Sequence, residues 1–222
     1  MSGTHTITPS DKALSQLPRA PVGADDQADY NKLLDALDRF LCDNDLDDIS
    51  LEQLAKATEI PAARVSHFFP NAPAAAAGLT IRYVQLASNQ IMSNQSASGS
   101  ESWQHVVYEI LRRGRAFFTE YPAAEKLRLG GGQSAGVRHV ILQSTWSLAQ
   151  VIKDELDRLF HVPPNSSLLD ELAYAIVISD ALWSVSLTLH GEITGEMAEE
   201  AERAVAALLE PAFGTRLPSR KD

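Results

Sequence analysis

The sequence predicts an all-α fold, and three observations predict it. Apolar residues recur at i, i+3, i+4 and i+7, the spacing of one helix face, through nearly every segment after residue 24. No run of strict apolar–polar alternation is long enough to support a strand. Pro, Gly, Asn and Ser punctuate the periodic stretches where helices start and stop. The 222 residues, 45% hydrophobic and 22% charged, suffice for one large domain, or for a small domain joined to a medium one.

Residues 1–24 are rich in Ser, Thr, Pro and Gly without periodicity and read as a flexible arm. Tyr30, Leu33, Leu34, Leu37, Phe40 and Leu41 share one face of a first helix, and Asn44 just beyond it suits a left-handed exit. Ser50 and Gln53 form a capping box, with Ile49 and Leu54 at the staple positions, for a short helix ending near Ala57. After the turn Thr58-Glu59-Ile60, Pro61 opens a third helix that runs to about Phe68. Asn71 caps a longer helix with Pro73 in its first turn, continuing to about Asn94. Ser96 to Ser100 is a linker, and a boundary is placed there.

The next stripe, from Trp103 through Val106, Val107, Ile110 and Leu111 to Phe118, stops before Pro122. A short helix over 123–129 precedes the loop Gly130-Gly131-Gly132, and a long helix spans about 134 to 160. Pro163-Pro164-Asn165 breaks it. Ser166 or Ser167 caps a helix to about 190, Gly191 ends that one, and Thr194 caps the last. Met197, Ala201, Ala204, Val205, Leu208 and Leu209 give the last helix its stripe. The resulting organisation is an arm over 1–24, a head with its connecting helix over 25–95, a second helical domain over 96–213 and a tail over 214–222.

Composition excludes several functions. One cysteine, Cys42, provides neither an intrachain disulfide nor a cysteine zinc cluster. Asp43, Asp45, Asp47 and Asp48 around it point to a buried or inert thiol rather than a redox sensor. The six histidines form no metal-ligand pair at i, i+3 or i+4, so no metal is expected. His-Glu-x-x-His and Gly-x-Ser-x-Gly are both missing, and no catalytic residue or enzymatic activity is expected. In the run Gly130 to Arg138, Val137-Arg138 stands where a phosphate loop needs Lys and Ser/Thr, and no strand precedes it, so no nucleotide cofactor is expected. The opening residues lack the apolar stretch of a signal peptide. The most apolar run, Leu172 to His190, carries Asp180 and several Ser and Thr, which suits a buried interface helix better than a membrane span. A cytoplasmic location follows as the expectation. The net charge of −10 argues against a generally basic nucleic-acid binder, and residues 25–95 carry five basic against eleven acidic residues.

The head nonetheless has a specific layout: a supporting helix, a short capped helix, a three-residue turn and a third short helix. Leu33 to Phe40, Ser50 to Ala55 and Val65-Ser66-His67-Phe68-Phe69-Pro70-Asn71 resemble the DNA-binding head of the tetracycline-repressor (TetR) family of bacterial regulators. The resemblance covers roughly residues 28–80. It implies about nine helices, a homodimer, a ligand cavity in the second domain and a third helix that enters the major groove. Ala62, Ala63, Arg64, Ser66 and His67 would then face DNA, with Asn71 at the next helix start, while Val65 and Phe68 face the core. Ser50 would meet a phosphate through its hydroxyl and the helix dipole. Three positions depart from the family's pattern: Glu59 replaces the turn glycine, Ser66 the Tyr before His, and Ala72 the Lys of the next helix.

Within the second domain Trp103, Phe117, Phe118, Tyr121, Trp146, Tyr174 and Trp183, with the polar His139 and Asp180, are candidate lining for a small apolar ligand. The helix over 168–190 is apolar nearly all round, and with 196–209 it is expected to pair with its copy in a four-helix contact. The leading reading is a ligand-responsive, homodimeric repressor that binds operator DNA. The alternative is a TetR-like protein whose degenerate head does not bind DNA and which acts through protein–protein contacts.

Overall fold

The computed structural model describes residues 8–93 and 102–220. Among them are ten α-helices and no sheet, so the fold is all-α. The helices are α1 (Asp11–Leu14), α2 (Ala24–Asp43), α3 (Leu51–Thr58), α4 (Ala62–Phe68), α5 (Ala72–Ser93), α6 (Trp103–Glu120), α7 (Pro122–Leu129), α8 (Ala135–Leu159), α9 (Leu168–His190) and α10 (Gly195–Phe213). The expected linker at 96–100 lies outside the described residues.

Two compact units divide the chain, and the division falls inside α5 after Gln85 and inside α8 after Leu142. The first unit holds the head together with residues 121–142, a stretch that sequence analysis assigned to the second domain. Helix α7 buries Ala123, Ala124, Leu127 and Leu129 in this unit, and its Lys126 ammonium donates to the Asn44 carbonyl at 3.0 Å, just past α2. The core of this unit forms where the stripe of α2 meets α3, α4 and α5. Leu33, Leu37, Val65, Phe68 and Phe69 are fully buried, and the Tyr30 ring lies 5.6 Å from Phe68 and 5.0 Å from Phe69. Burial pushes the Tyr30 hydroxyl up to about 12, against a smaller downward pull from Arg82.

Residues 8–24 are not a loose arm. Ser10 caps α1 by accepting from the Ala13 N–H, and Ala13 is buried. Asn44 is also extended (φ −130) rather than left-handed. It closes α2 by donating its backbone N–H and its side-chain amide to the Phe40 carbonyl.

The second unit packs α6, the later part of α8, α9 and α10 around Trp103, Leu156, Leu172, Val205 and Leu209. Residues 214–220 fold back on it: Leu217 is buried, and the Arg220 N–H donates to the Leu159 carbonyl at 2.9 Å. Helix α9 is long and apolar enough to cross a membrane by length and composition. Its Leu172, Ile176 and Trp183 are nevertheless buried in protein.

Candidate nucleic-acid interface and ligand site

The helix-turn-helix is built from local rules. The Ser50 hydroxyl accepts from the Gln53 N–H at 3.2 Å, and the Gln53 side chain accepts from the Ser50 N–H at 2.7 Å, completing the capping box. Ile49 and Leu54 are both buried beside it. The turn reverses at Glu59, whose φ of 57 lies in the left-handed region; among the described residues no other non-glycine does this. Only one face of α4 is buried. Val65 and Phe68 point into the core, while Ala62, Ala63, Ser66 and His67 are exposed. Asn71 starts α5, accepting from the Ala74 N–H at 3.0 Å, while its amide donates to the Ser15 carbonyl at 2.9 Å.

Arg64 does not project freely. Its Nη2 pairs with Asp26 at 3.0 Å, its Nε donates to Asp29, and its guanidinium carbon lies 5.6 Å from the centre of the Phe68 ring. Hydrogen bonding to Asp29 raises the guanidinium pKa further, so it stays charged. Sequence reasoning missed Asp26 and Asp29 because acids in the first two turns of α2 read equally well as solvated surface charges. The signal available was their spacing: positions 26 and 29 lie one turn apart on α2, facing the helix that carries Arg64.

The candidate ligand-lining residues fall into both units. Tyr121 packs on Tyr83 (5.7 Å between rings) and His139 is buried, both in the first unit. In the second unit Trp103 is a core residue, with Nε1 donating to the Gly214 carbonyl at 3.0 Å and its ring 5.1 Å from Phe213. Trp146 donates to Asp170 at 2.8 Å and meets Tyr174, which is half exposed. Phe117 and Phe118 are buried, and Asp180 is half-buried. Trp183 differs from these. It is buried, lies edge-on to Phe118 at 6.0 Å and over Gly114, and among the described residues its Nε1 has no hydrogen-bond partner.

The loop Gly130-Gly131-Gly132 borders a cavity of about 240 Å³ in the first unit, together with Asp45, Asp47 and Lys126. Cys42 is exposed rather than buried, its thiol 3.5 Å from the Asp38 carbonyl.

An all-α protein with an exposed helix-turn-helix on one unit and an aromatic-rich helical second unit is the class these features define. No protein-family model and no curated protein sequence matches the chain. Solved structures do. A TetR-family transcriptional regulator from Streptomyces coelicolor matches with a TM-score of 0.63 at 18% identity, over 84% of this chain and 98% of that one. A TetR transcriptional regulator from Rhodococcus sp. RHA1 matches with a TM-score of 0.65 at 15% identity, over the same shares. The chain therefore has the fold of TetR-family regulators.

Proposed function

We propose that the protein is a ligand-responsive transcriptional regulator, a repressor, that binds operator DNA as a homodimer in the cytoplasm. The observation that carries this reading is the α3–α4 unit: a capped helix, a left-handed turn and a short helix with one buried and one exposed face. Ala62, Ala63, Ser66 and His67 are its groove-facing candidates. Ser50 keeps its hydroxyl hydrogen for a phosphate, because its oxygen is the capping acceptor. A gel shift on DNA flanking the protein's own gene tests the reading, with saturable binding expected at low salt.

Ligand sensing is supported by Trp183. A buried indole N–H without an acceptor costs about 1–3 kcal/mol. A small, mostly apolar molecule carrying one acceptor would satisfy it beside Phe117 and Phe118. A thermal-shift screen with such compounds, repeated on Trp183→Phe, should show stabilisation that the variant loses.

Dimerisation is supported by the exposed face of α9, where Tyr174, Val177, Val185 and Leu189 are 42–68% exposed. The partly buried Ala204 and Leu208 of α10 extend the candidate surface. A second copy suits this face better than lipid. Asp180 sits mid-helix, and a carboxylate at the bilayer centre costs about 2.5–3.5 kcal/mol.

The pairing of Arg64 with Asp26 and Asp29 favours a second reading, in which the head has lost DNA binding and works through protein contacts. Absence of binding to any duplex at low salt would select it.

A further inference from the structure

The N-terminal segment is fastened to the first unit at three places. The Gly136 N–H donates to Gln16 Oε1 at 3.0 Å, Asn71 Nδ2 donates to the Ser15 carbonyl at 2.9 Å, and the Arg19 N–H donates to the Phe68 carbonyl at 2.8 Å. The segment lies directly on the start of α8, because a Cβ added at Gly136 would collide with the Gln16 backbone carbonyl. These bonds hold residue 19 at the C-terminal end of α4.

The Arg19 side chain is exposed. Its Nη1 donates to the His67 carbonyl at 3.3 Å, and among the described residues it has no carboxylate partner. Two other arginines of the first unit are in a different state. Arg64 is held by Asp26 and Asp29, and Arg82 by Asp35 at 2.5 Å and by the Asn31 carbonyl at 3.0 Å. Next to the exposed His67, the cation with its charge uncompensated is Arg19.

We propose that Arg19 is a DNA-phosphate contact of the head, presented at the end of the reading helix by the folded N-terminal segment. This rests on the DNA-binding reading above. The guanidinium is always charged, and its planar fork matches phosphate oxygens. Among the described residues its side-chain nitrogens other than Nη1 have no protein acceptor, so a phosphate oxygen can take them without breaking the bond to His67.

A phosphate contact carries no sequence information, so a random-sequence duplex reports it. The duplex should span two half-sites about 34 Å apart, and its affinity for the full chain is measured against salt. Arg19→Ala should flatten the log–log slope by about 0.9 per bound protomer and weaken binding to random and flanking-gene DNA alike, with the melting temperature unchanged. Arg19→Lys should keep the slope, because counterion release counts charges. An unchanged slope in Arg19→Ala, with the parent binding, overturns the assignment and leaves the regulator reading intact. Equal loss in Arg19→Ala and Arg19→Lys also overturns it, because the residue would then act through the fold of the segment. A parent that binds no duplex at any salt overturns both.

Discussion

Glu59 and Arg64 show how single residues set the character of the head. Glu59 adopts a conformation that costs an L-residue about 1–2 kcal/mol relative to glycine's free access to it. Glycine also raises the entropy of the unfolded chain, which returns about 0.4–1 kcal/mol of that gain. Glu59→Gly should therefore stabilise the protein by about 0.5–1 kcal/mol, seen as a higher urea midpoint at unchanged m-value. A lower midpoint would mean that the Glu59 side chain compensates its own backbone. Arg64 is one of the residues that the family resemblance turns toward DNA, yet the structure shows it occupied by α2. Asp26→Asn combined with Asp29→Asn should tighten DNA binding in a gel shift. Adding Arg64→Ala should cancel most of that gain if the freed guanidinium is its cause. A gain that survives Arg64→Ala would come from removing negative charge alone.

Among the elements, local chemistry was legible and distant chemistry was not. Helix starts at Ser50, Asn71 and Thr194 could be read because each cap lies within three residues of the N–H it satisfies. The face of α2 followed from period, and that of α4 from the family resemblance. Helix α1 and the course of residues 8–24 were invisible, because Ser15 meets Asn71 and Gln16 meets Gly136 across 56 and 120 positions. Composition rich in Ser, Pro and Gly reads as mobile when such partners are unknown. The same limit hid the placement of α7, since the bond from Lys126 to Asn44 has no local signature. Where the rule is local, the size of an effect can be stated. Ser50→Ala removes the acceptor for the Gln53 N–H at an exposed cap, and should cost about 1 kcal/mol by denaturant unfolding. A cost near zero would show that water replaces the hydroxyl there.

At the scale of the whole molecule, α9 carries more apolar surface than a single chain covers. Its sequence is apolar on nearly all sides, but one unit buries only the face of Leu172, Ile176 and Trp183. Tyr174, Val177, Val185 and Leu189 recur at helical spacing on the opposite side, and Leu189 is 68% exposed. A two-fold axis brings each of these residues near its own copy or a neighbour of it, so one substitution acts twice at the interface. Glutamate at Val177 and Val185 would place like charges across a desolvating contact, with no basic residue on this face of α9 to offset them. Val177→Glu combined with Val185→Glu should yield a monomer by light scattering at micromolar concentration, where the proposal expects the parent to be a dimer. Helical content should be unchanged, because both positions are solvent-facing within the single chain. The variant should also lose tight binding to a two-half-site operator, since one head gives up the second major groove about 34 Å away. A variant that remains dimeric would place the contact on another surface, and a parent that is already monomeric would remove the two-headed geometry on which the proposed operator binding rests.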